Sequence, residues 1–423
     1  MSTLGTQRPV LVTSLPGPTS SAWIDRLAAR ECPAITARRA RRAQALGAAA
    51  DDPIVWEEAV GANVVDVDGN ILVDMTAGFG VASVGHRNPA VVAAGTAQLA
   101  HLPHAMGDAF PDPVRIRLLE RLAELSGMDR AILGSSGSDA VEAALKTARI
   151  ATGRDGVLTF SGSYHGLSYG ALSVTRYKAG AFRAPFAGQL GNHTIEADFG
   201  GEIPDLSEIG AIIVEPIQGR GGVRVPPDGW LAGLIDAAHA AGAVVIFDEI
   251  YTGFGRTGRW LALQGPALNG RRPDLVCVGK GMAGGYPISA CLGTAAVMDA
   301  WGASRGEALH TQTFLGNPVG CAMALACIAE VERLMPEVEG KGAGLKAALE
   351  ATGLVVRGAG MLLGVEIERS LAVSRGLMQR GYIALPAGES AEVLALTPPL
   401  MIHPDQLTGF LEALADVRAE LSV

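Results

Sequence analysis

The sequence has little cysteine and no apolar run that could cross a membrane. Its 423 residues include five cysteines, and four of them stand in apolar surroundings (Cys277, Cys291, Cys321 and Cys327). Their irregular spacing predicts buried thiols in a reducing compartment rather than a disulfide framework. A membrane span needs about 18 consecutive apolar residues. We therefore expect a cytoplasmic protein with no membrane partner.

Positive charge and metal ligands are also scarce. The formal net charge is −9, which argues against nucleic acid as a general partner. His101 and His104 stand three residues apart, but no third ligand follows at a suitable spacing, so we predict no metal site. The hydrophobic share of 48% is ample for a large core.

Short apolar runs alternate with loops and helix-like segments through the middle of the chain. This alternation predicts an α/β protein with a mostly parallel sheet. The Arg-rich segment 38–42 is predicted to form a solvated helix face or a subunit-contact arm. After about residue 320 the pattern changes, which indicates a second, α+β domain.

Two of the predicted buried strands end in charged residues. Val244–Phe247 is followed by Asp248, and Leu275–Val278 is followed after one glycine by Lys280. Ligands of open α/β sheets bind beyond the carboxyl ends of the strands, so this acid and this amine could face one ligand. A lysine that condenses with an aldehyde, and an acid that keeps a pyridine nitrogen protonated, are what pyridoxal phosphate (PLP) chemistry requires. A solvated strand end and a turn-forming aspartate remain the alternatives at this point.

The same stretch contains Gly253-Phe-Gly-Arg-Thr-Gly258, which matches a dinucleotide-binding fingerprint. Two observations oppose that interpretation. Asp248 and Glu249 would lie close to a pyrophosphate, and Gly265-Pro266 interrupts the helix that should follow. We therefore disfavour a nicotinamide cofactor.

Three further strand ends carry residues suited to a ligand. Ser135-Ser-Gly-Ser-Asp139 leads into a helix predicted over 140–153, with Asp139 and Glu142 as a capping box, and such a helix start binds anions. Tyr164 follows the strand 157–160 and could stack on a planar ring, or belong to the core. Glu215 follows the strand 211–214. An ordinary capped helix remains the alternative for the first segment.

Six motifs in this order resemble the class III aminotransferases, the ornithine/4-aminobutyrate branch of the fold-type I PLP enzymes. They are Ser-Gly-Ser-Asp-Ala, Tyr-His-Gly, Val-Glu-Pro-Ile-Gln-Gly, Phe-Asp-Glu with Gly-Phe-Gly-Arg-Thr-Gly, Gly-Lys-Gly, and Thr-Phe-x-Gly-Asn-Pro. The resemblance runs from about residue 50 to the C-terminus. It implies a large PLP-binding domain with a mostly parallel sheet and a smaller α+β domain built from both chain ends. The corresponding boundaries are 1–75, 76–322 and 323–423.

The resemblance also implies residue roles. Lys280 would hold the cofactor and shuttle the proton, and Asp248 would partner the pyridine nitrogen. Thr313 would reach the phosphate of the neighbouring subunit, which implies a homodimer with shared active sites. The implied cofactor-binding residues are Ser136, Gly137, Ser138, Tyr164, Glu215, Asp248, Tyr251, Lys280 and Thr313.

The sequence departs from the family pattern around the substrate. Tyr251 stands where many members have Gln. Ala395 replaces the Arg before x-x-Pro-Pro-Leu, and Arg220 replaces the Glu that pairs with that Arg. Leu167 stands where 4-aminobutyrate enzymes often have Arg. We predict that Arg220 anchors the carboxylate of the acceptor, and that the remaining wall is apolar, formed by Phe79, Val81 and Leu167. The alternative is that Arg220 turns outward or pairs with a nearby acid.

The predicted function is a dimeric PLP-dependent aminotransferase that moves an amino group from an amine or ω-amino acid to a 2-oxo acid. The alternative within the same family is a racemase or epimerase of an amino acid or its amide, because such members also lack the Arg before Pro-Pro-Leu. A cofactor-binding regulator without activity is disfavoured, since Lys280 and Asp248 are both present.

Overall fold

The structure is a computed structural model that describes residues 4–33, 41, 44, 53–107, 109–303 and 306–423. The Arg-rich segment 38–42 lies outside these residues except for Arg41. The strands of the described part are β1 (Trp56–Val60), β2 (Asn63–Asp66), β3 (Ile71–Asp74), β4 (Arg130–Gly134), β5 (Gly156–Phe160), β6 (Thr194–Ala197), β7 (Ile209–Val214), β8 (Val244–Asp248), β9 (Leu275–Val278), β10 (Ser289–Gly293), β11 (Val355–Ala359), β12 (Leu362–Glu366), β13 (Tyr382–Ile383), β14 (Leu385–Ala387) and β15 (Val393–Leu396).

Helices connect most of these strands. They are α1 (Pro18–Ala28), α2 (Ala77–Gly80), α3 (Pro89–His101), α4 (Pro113–Ser126), α5 (Gly137–Thr152), α6 (Tyr169–Val174), α7 (Ala179–Phe182), α8 (Trp230–Ala240), α9 (Ala295–Met298), α10 (Pro318–Glu350), α11 (Ser370–Met378) and α12 (Pro404–Leu421). Short 3₁₀ helices occupy Ala184–Gln189, Ala262–Gln264, Pro266–Leu268, Lys280–Met282 and Asp299–Ala303. No helix of the described part is both long and apolar enough to traverse a membrane.

A seven-stranded sheet forms the centre of the molecule, in the order β4-β10-β9-β8-β7-β5-β6. The five strands from β9 to β6 run parallel to one another, and β10 is antiparallel to both of its neighbours. Every residue of β7, β8 and β9 is buried. Helices on both faces of a parallel sheet account for that burial, and for the continuous apolar runs in the sequence. The predicted α/β class with a mostly parallel sheet is confirmed.

Two smaller sheets involve the chain ends. One has the order β1-β2-β3-β13, and the other has the order β11-β12-β15-β14. In the first sheet, β13 from the C-terminal part runs parallel to β3, with Ile383 opposite Asp74. The two ends of the chain therefore share one sheet. The boundaries at 75 and 322 stay a prediction.

Helix α5 begins at another residue than predicted, and helix α10 continues through a proline. Helix α5 is capped by Ser136, whose hydroxyl accepts the Asp139 N–H, while the Asp139 carboxylate accepts the Ser136 N–H. Asp139 is thus the N3 residue, the last of the capping box, rather than the N-cap residue. Helix α10 continues past Pro336, a residue type that commonly ends a helix, to Glu350. Its buried face, which includes Val338 and Leu345, compensates for the hydrogen bond that a proline removes.

Candidate active site

The ends of three adjacent parallel strands place charged side chains at one edge of the central sheet. Asp248 is the last residue of β8 and is buried. Lys280 lies two residues beyond the end of β9, and Glu215 directly follows β7. All three side chains line one cavity of about 400 Å³. The acid and the amine that the sequence places at two strand ends therefore face a common space.

His165 is the partner of Asp248. Its Nδ1 lies 2.7 Å from Oδ2 of Asp248, and both side chains are buried. An ionised carboxylate only accepts hydrogen bonds, so Nδ1 carries the proton. The other oxygen of Asp248, Oδ1, accepts the Ile250 N–H at 3.1 Å. These contacts fix the carboxylate relative to the cavity. His165 is not among the residues predicted for the site, although its place between Tyr164 and a glycine was a signal that could have indicated it.

Glu215 closes the same edge of the cavity. Its two carboxylate oxygens accept the N–H groups of Tyr164 at 2.9 Å and Gly219 at 3.0 Å. Burial raises the pKa of Glu215 to about 7, while the nearby His165 lowers it and Asp248 raises it. Glu215 therefore ties two loops together. One carries the aromatic side chain of Tyr164, and the other leads to Arg220.

Lys280 lies inside this charged group. Burial lowers the pKa of its ammonium, Asp248 and Glu215 oppose that effect, and Arg220 adds to it. Its Nζ is 4.6 Å from the centroid of the Tyr251 ring. A lowered pKa increases the neutral fraction of the amine at a given pH. The neutral amine is the form that acts as a nucleophile and a base.

The first turn of α5 faces the same cavity. Ser136, Gly137 and Ser138 all line it, and the first N–H groups of a helix have no partner within the helix. These donors, the two serine hydroxyls and the helix dipole together suit an anion. The Gly166 backbone packs against Ser138, because a Cβ built at Gly166 would lie 3.1 Å from the Ser138 Cβ and overlap its hydroxyl.

The residues around this cavity fit PLP. The cavity brings together an amine, a buried carboxylate, an aromatic side chain and a helix start (Lys280, Asp248, Tyr164 and 136–138). PLP offers a matching aldehyde, ring nitrogen, planar ring and phosphate. When bound, it supplies an electron sink for the carbon that carries the amino group. Lys280 would hold its aldehyde, Asp248 its ring nitrogen and 136–138 its phosphate.

A second cavity of about 270 Å³ borders the first, and Phe79, Arg220 and Tyr251 line both. Ala395 lines the second cavity and Leu167 the first. The rest of the second lining is Thr76, Tyr177, Lys178, Gly219, Leu371, Leu385, Pro386, Ala387, Gly388, Ala391 and Thr397.

Two predicted residues lie elsewhere. Val81 borders neither cavity, although Phe79 two residues earlier lines both. Thr313 is exposed and lines neither cavity.

Arg220 stands between two aromatic rings. Its guanidinium carbon is 4.6 Å from the centroid of Tyr164 and 5.4 Å from that of Tyr177. Among the described residues, the Arg220 side chain has no carboxylate partner and no hydrogen bond within the chain. The rings attract the cation but leave its N–H donors free. An arginine placed in this way can bind an anion.

The turn at Ala77–Gly80 forms the wall opposite Tyr251. Its four residues have φ between +47° and +79° (Ala77, Gly78, Phe79 and Gly80), so the turn is left-handed. The Asp74 carboxylate holds it by accepting hydrogen bonds from Thr76 N–H, Thr76 Oγ1 and Gly78 N–H. His86 Nε2 also lies 2.8 Å from Asp74.

Comparison with known proteins agrees with this geometry. The family model "Aminotransferase class-III" matches residues 46–417. Acetylornithine aminotransferase of Methanosarcina mazei is 35% identical over 372 residues, which cover 86% of this chain and 91% of that protein. The 4-aminobutyrate aminotransferase of Mycobacterium bovis is 33% identical and covers 97% of this chain and 98% of its own length.

Among solved structures, the ornithine aminotransferase of Toxoplasma gondii superposes with a TM-score of 0.82. It is 27% identical, with 96% of this chain and 97% of that chain covered. The fold-type I prediction is thereby confirmed, and the racemase alternative is not favoured. The family depends on PLP, in agreement with the residues of the first cavity. The chain belongs to the class III aminotransferases, and it is a PLP-dependent transaminase.

Proposed function

We propose that the protein transfers an amino group from an amine or ω-amino acid to a 2-oxo acid whose carboxylate binds Arg220. The observation that carries this proposal is the position of Arg220. Its guanidinium lies between two aromatic rings, at the border of the cofactor cavity and the second cavity. A partly buried cation that has no carboxylate partner among the described residues favours an anion. The guanidinium fork matches a carboxylate.

The second cavity supports an apolar substrate body. Ala395 stands where relatives of the ornithine/4-aminobutyrate type have Arg, and the side chains around it include Leu371, Leu385 and Pro386. An acceptor held by Arg220 would place its apolar part against these side chains. Leu167 and Phe79, both partly exposed, would border the entrance.

The proposed roles of the cofactor residues follow from their contacts. Lys280 takes a proton from the substrate carbon and returns it to a second carbon. Asp248, fixed by His165, holds a proton at the ring nitrogen of the cofactor. Tyr164 covers the ring, and its own backbone is fixed by Glu215. The first turn of α5 binds the phosphate.

We also propose that the protein is a homodimer in which Thr313 binds the phosphate of the partner's site. Thr313 is exposed, and so are large apolar side chains close to it. Phe314 is 63% exposed and Phe110 is 69% exposed. The ring centroids of Phe314 and His104 are 5.4 Å apart, so these two side chains lie on one exposed surface next to Thr313. A surface of this kind marks an interface. The buried free thiols, such as Cys277 and Cys321, support a cytoplasmic location.

Arg220→Ala tests the carboxylate assignment. The KM for the 2-oxo acid should rise at least tenfold, which corresponds to about 1.4 kcal/mol. Lys178→Ala is the matched control, because Lys178 also lies over the Tyr177 ring and lines the second cavity. An unchanged KM in Arg220→Ala, or an equal rise in both variants, would contradict the assignment.

A panel of donors tests the reaction itself. We expect consumption of a single donor enantiomer only when a 2-oxo acid is present, with the acceptor appearing as the new amino compound. Appearance of the opposite enantiomer without any 2-oxo acid would instead establish racemisation.

A further inference from the structure

Tyr251 fills a slot between two glycines. A Cβ built at Gly219 would lie 2.6 Å from Cε1 of the Tyr251 ring, and a Cβ built at Gly80 would lie 2.7 Å from Cε2. Both distances are shorter than any normal carbon–carbon contact. Only glycine at both positions therefore leaves room for the ring. The plane of the ring is fixed by backbone on both edges.

The phenol end of the ring is fixed as well. Burial raises the pKa of Tyr251, so the hydroxyl stays protonated and acts as a donor. It lies 3.3 Å from Thr397 Oγ1, which in turn donates to the Thr76 carbonyl at 3.0 Å. This chain of hydrogen bonds connects the loop after β8 with the residue that follows β15 and with the residue that precedes the left-handed turn.

The face of this ring is directed at Lys280. Nζ is 4.6 Å from the ring centroid, within the range of a cation–π interaction. The charged groups that also act on Lys280 are Asp248 on β8, Glu215 after β7 and Arg220. The Tyr251 ring thus adds an uncharged, electron-rich surface beside the two carboxylates and the guanidinium that act on Lys280.

We propose that Tyr251 is a positioning residue for Lys280, and that its ring face holds the lysine ammonium between the two proton transfers of the reaction. This inference rests on the proposed function. In the first transfer the neutral amine of Lys280 would take the proton of the substrate carbon, and the cofactor, when bound, would supply the sink for the electron pair of the broken C–H bond. In the second transfer the ammonium releases that proton to another carbon. Between the two, the cation requires a fixed place from which it reaches both carbons.

The first readout is the pKa of Lys280 in the full-length protein after removal of the cofactor. It is measured from the pH dependence of trace acetylation, followed by peptide mass spectrometry. Tyr251→Leu removes the ring face, and we expect the pKa of Lys280 to fall by about one unit, or about 1.4 kcal/mol. Tyr251→Phe keeps the face and loses only the hydroxyl. We expect it to retain the wild-type value.

The second readout is steady-state kinetics of the holoenzyme. We expect Tyr251→Leu to reduce kcat about tenfold with KM changed less than twofold, and Tyr251→Phe to restore most of kcat. If Tyr251→Leu does not fold, Tyr251→Met fills a similar volume without a ring and should show the same two changes. A Tyr251→Phe variant that behaves like Tyr251→Leu would overturn the proposal in favour of the Thr397 hydrogen bond. An unchanged Lys280 pKa in the variants without a ring would also overturn it.

The two readouts separate this inference from the proposed function. The Lys280 pKa is measured without turnover. If no donor is transaminated by the wild-type protein but Tyr251→Leu still lowers that pKa, the proposed function fails while the contact between the ring and the ammonium stands.

Discussion

The left-handed turn at Ala77–Gly80 depends on Asp74, and we predict that Asp74→Asn distorts the substrate site. A non-glycine residue in this conformation costs about 1–2 kcal/mol, and the turn contains Ala77 and Phe79 at φ of 47° and 65°. The hydrogen bonds to the buried Asp74 carboxylate offset this conformational cost. An Asn at position 74 keeps one acceptor oxygen for Thr76. Its NH2 group, however, then faces the Gly78 N–H, so that two donors oppose each other. In the wild type, Asp74 Oδ2 accepts a hydrogen bond from this N–H at 2.8 Å.

The size of the effect follows from that lost bond. A hydrogen bond to a charged group contributes about 1.5–3 kcal/mol, which is comparable to the strain of the turn. We therefore expect the turn to relax and Phe79 to move from the border of the two cavities. The KM for substrate should rise about three- to tenfold. The melting temperature should fall by only about 2 °C, because unfolding entropy scales with chain length and this chain has 423 residues.

Asp66→Asn is the matched control. Asp66 is equally buried and accepts hydrogen bonds from Asp68 N–H, Asn70 N–H and Asn70 Nδ2 in the β2–β3 turn, and it lines neither cavity. The two variants should lose similar thermal stability, but only Asp74→Asn should change KM. Equal KM values in the two variants would refute the reasoning that the turn shapes the site.

Three further predictions concern the cofactor and substrate cavities. Gly166→Ala should weaken PLP binding about tenfold in a fluorescence titration, because the new Cβ overlaps the Ser138 hydroxyl; unchanged binding would exclude Ser138 from the phosphate site. Ala395→Arg should lower the melting temperature by placing a second cation beside Arg220. The double variant Ala395→Arg with Arg220→Glu should recover the wild-type melting temperature. If the two substitutions instead lower the melting temperature additively, the two positions do not interact. Trace acetylation of Lys280 in the cofactor-free protein should give a midpoint below 10.5, since burial lowers its pKa; a midpoint at or above that value would contradict the burial argument.

The strand ends of the site could be predicted from sequence because their physical cause is local. An apolar β-branched run followed by a charged residue describes a buried parallel strand that ends at a ligand. The observed β8 and β9 have the predicted bounds to within one residue, and Asp248 and Lys280 share a cavity. Ala395 and Arg220, which are departures from the family pattern, line the second cavity, which borders that site.

Two kinds of feature could not be predicted: the choice between two residues that can both cap a helix, and contacts between residues far apart in the sequence. Both Ser136 and Asp139 can cap a helix, and the choice between them depends on the end of β4 and on Ser289, whose hydroxyl donates to the Ser136 carbonyl. Glu142 instead accepts hydrogen bonds from Ser168 and Gly170. Sequence spacing carries no record of a partner 26 residues away. The pairing of His165 with Asp248 across 83 residues is hidden for the same reason.

The departures at Tyr251 and Arg220 form one steric unit. Gly219 directly precedes Arg220, and its backbone contacts the Tyr251 ring so closely that no other residue fits. A bulky side chain at 251 therefore determines where the chain at 219 and 220 runs, and so where the guanidinium lies relative to Tyr164. Ala395 borders the same cavity as both residues. Exchanging any one of the three for the common family residue should consequently disturb the other two. Loss of Arg220 alone should weaken carboxylate binding, and the carboxylate preference of the common family pattern should appear only when all three are replaced together.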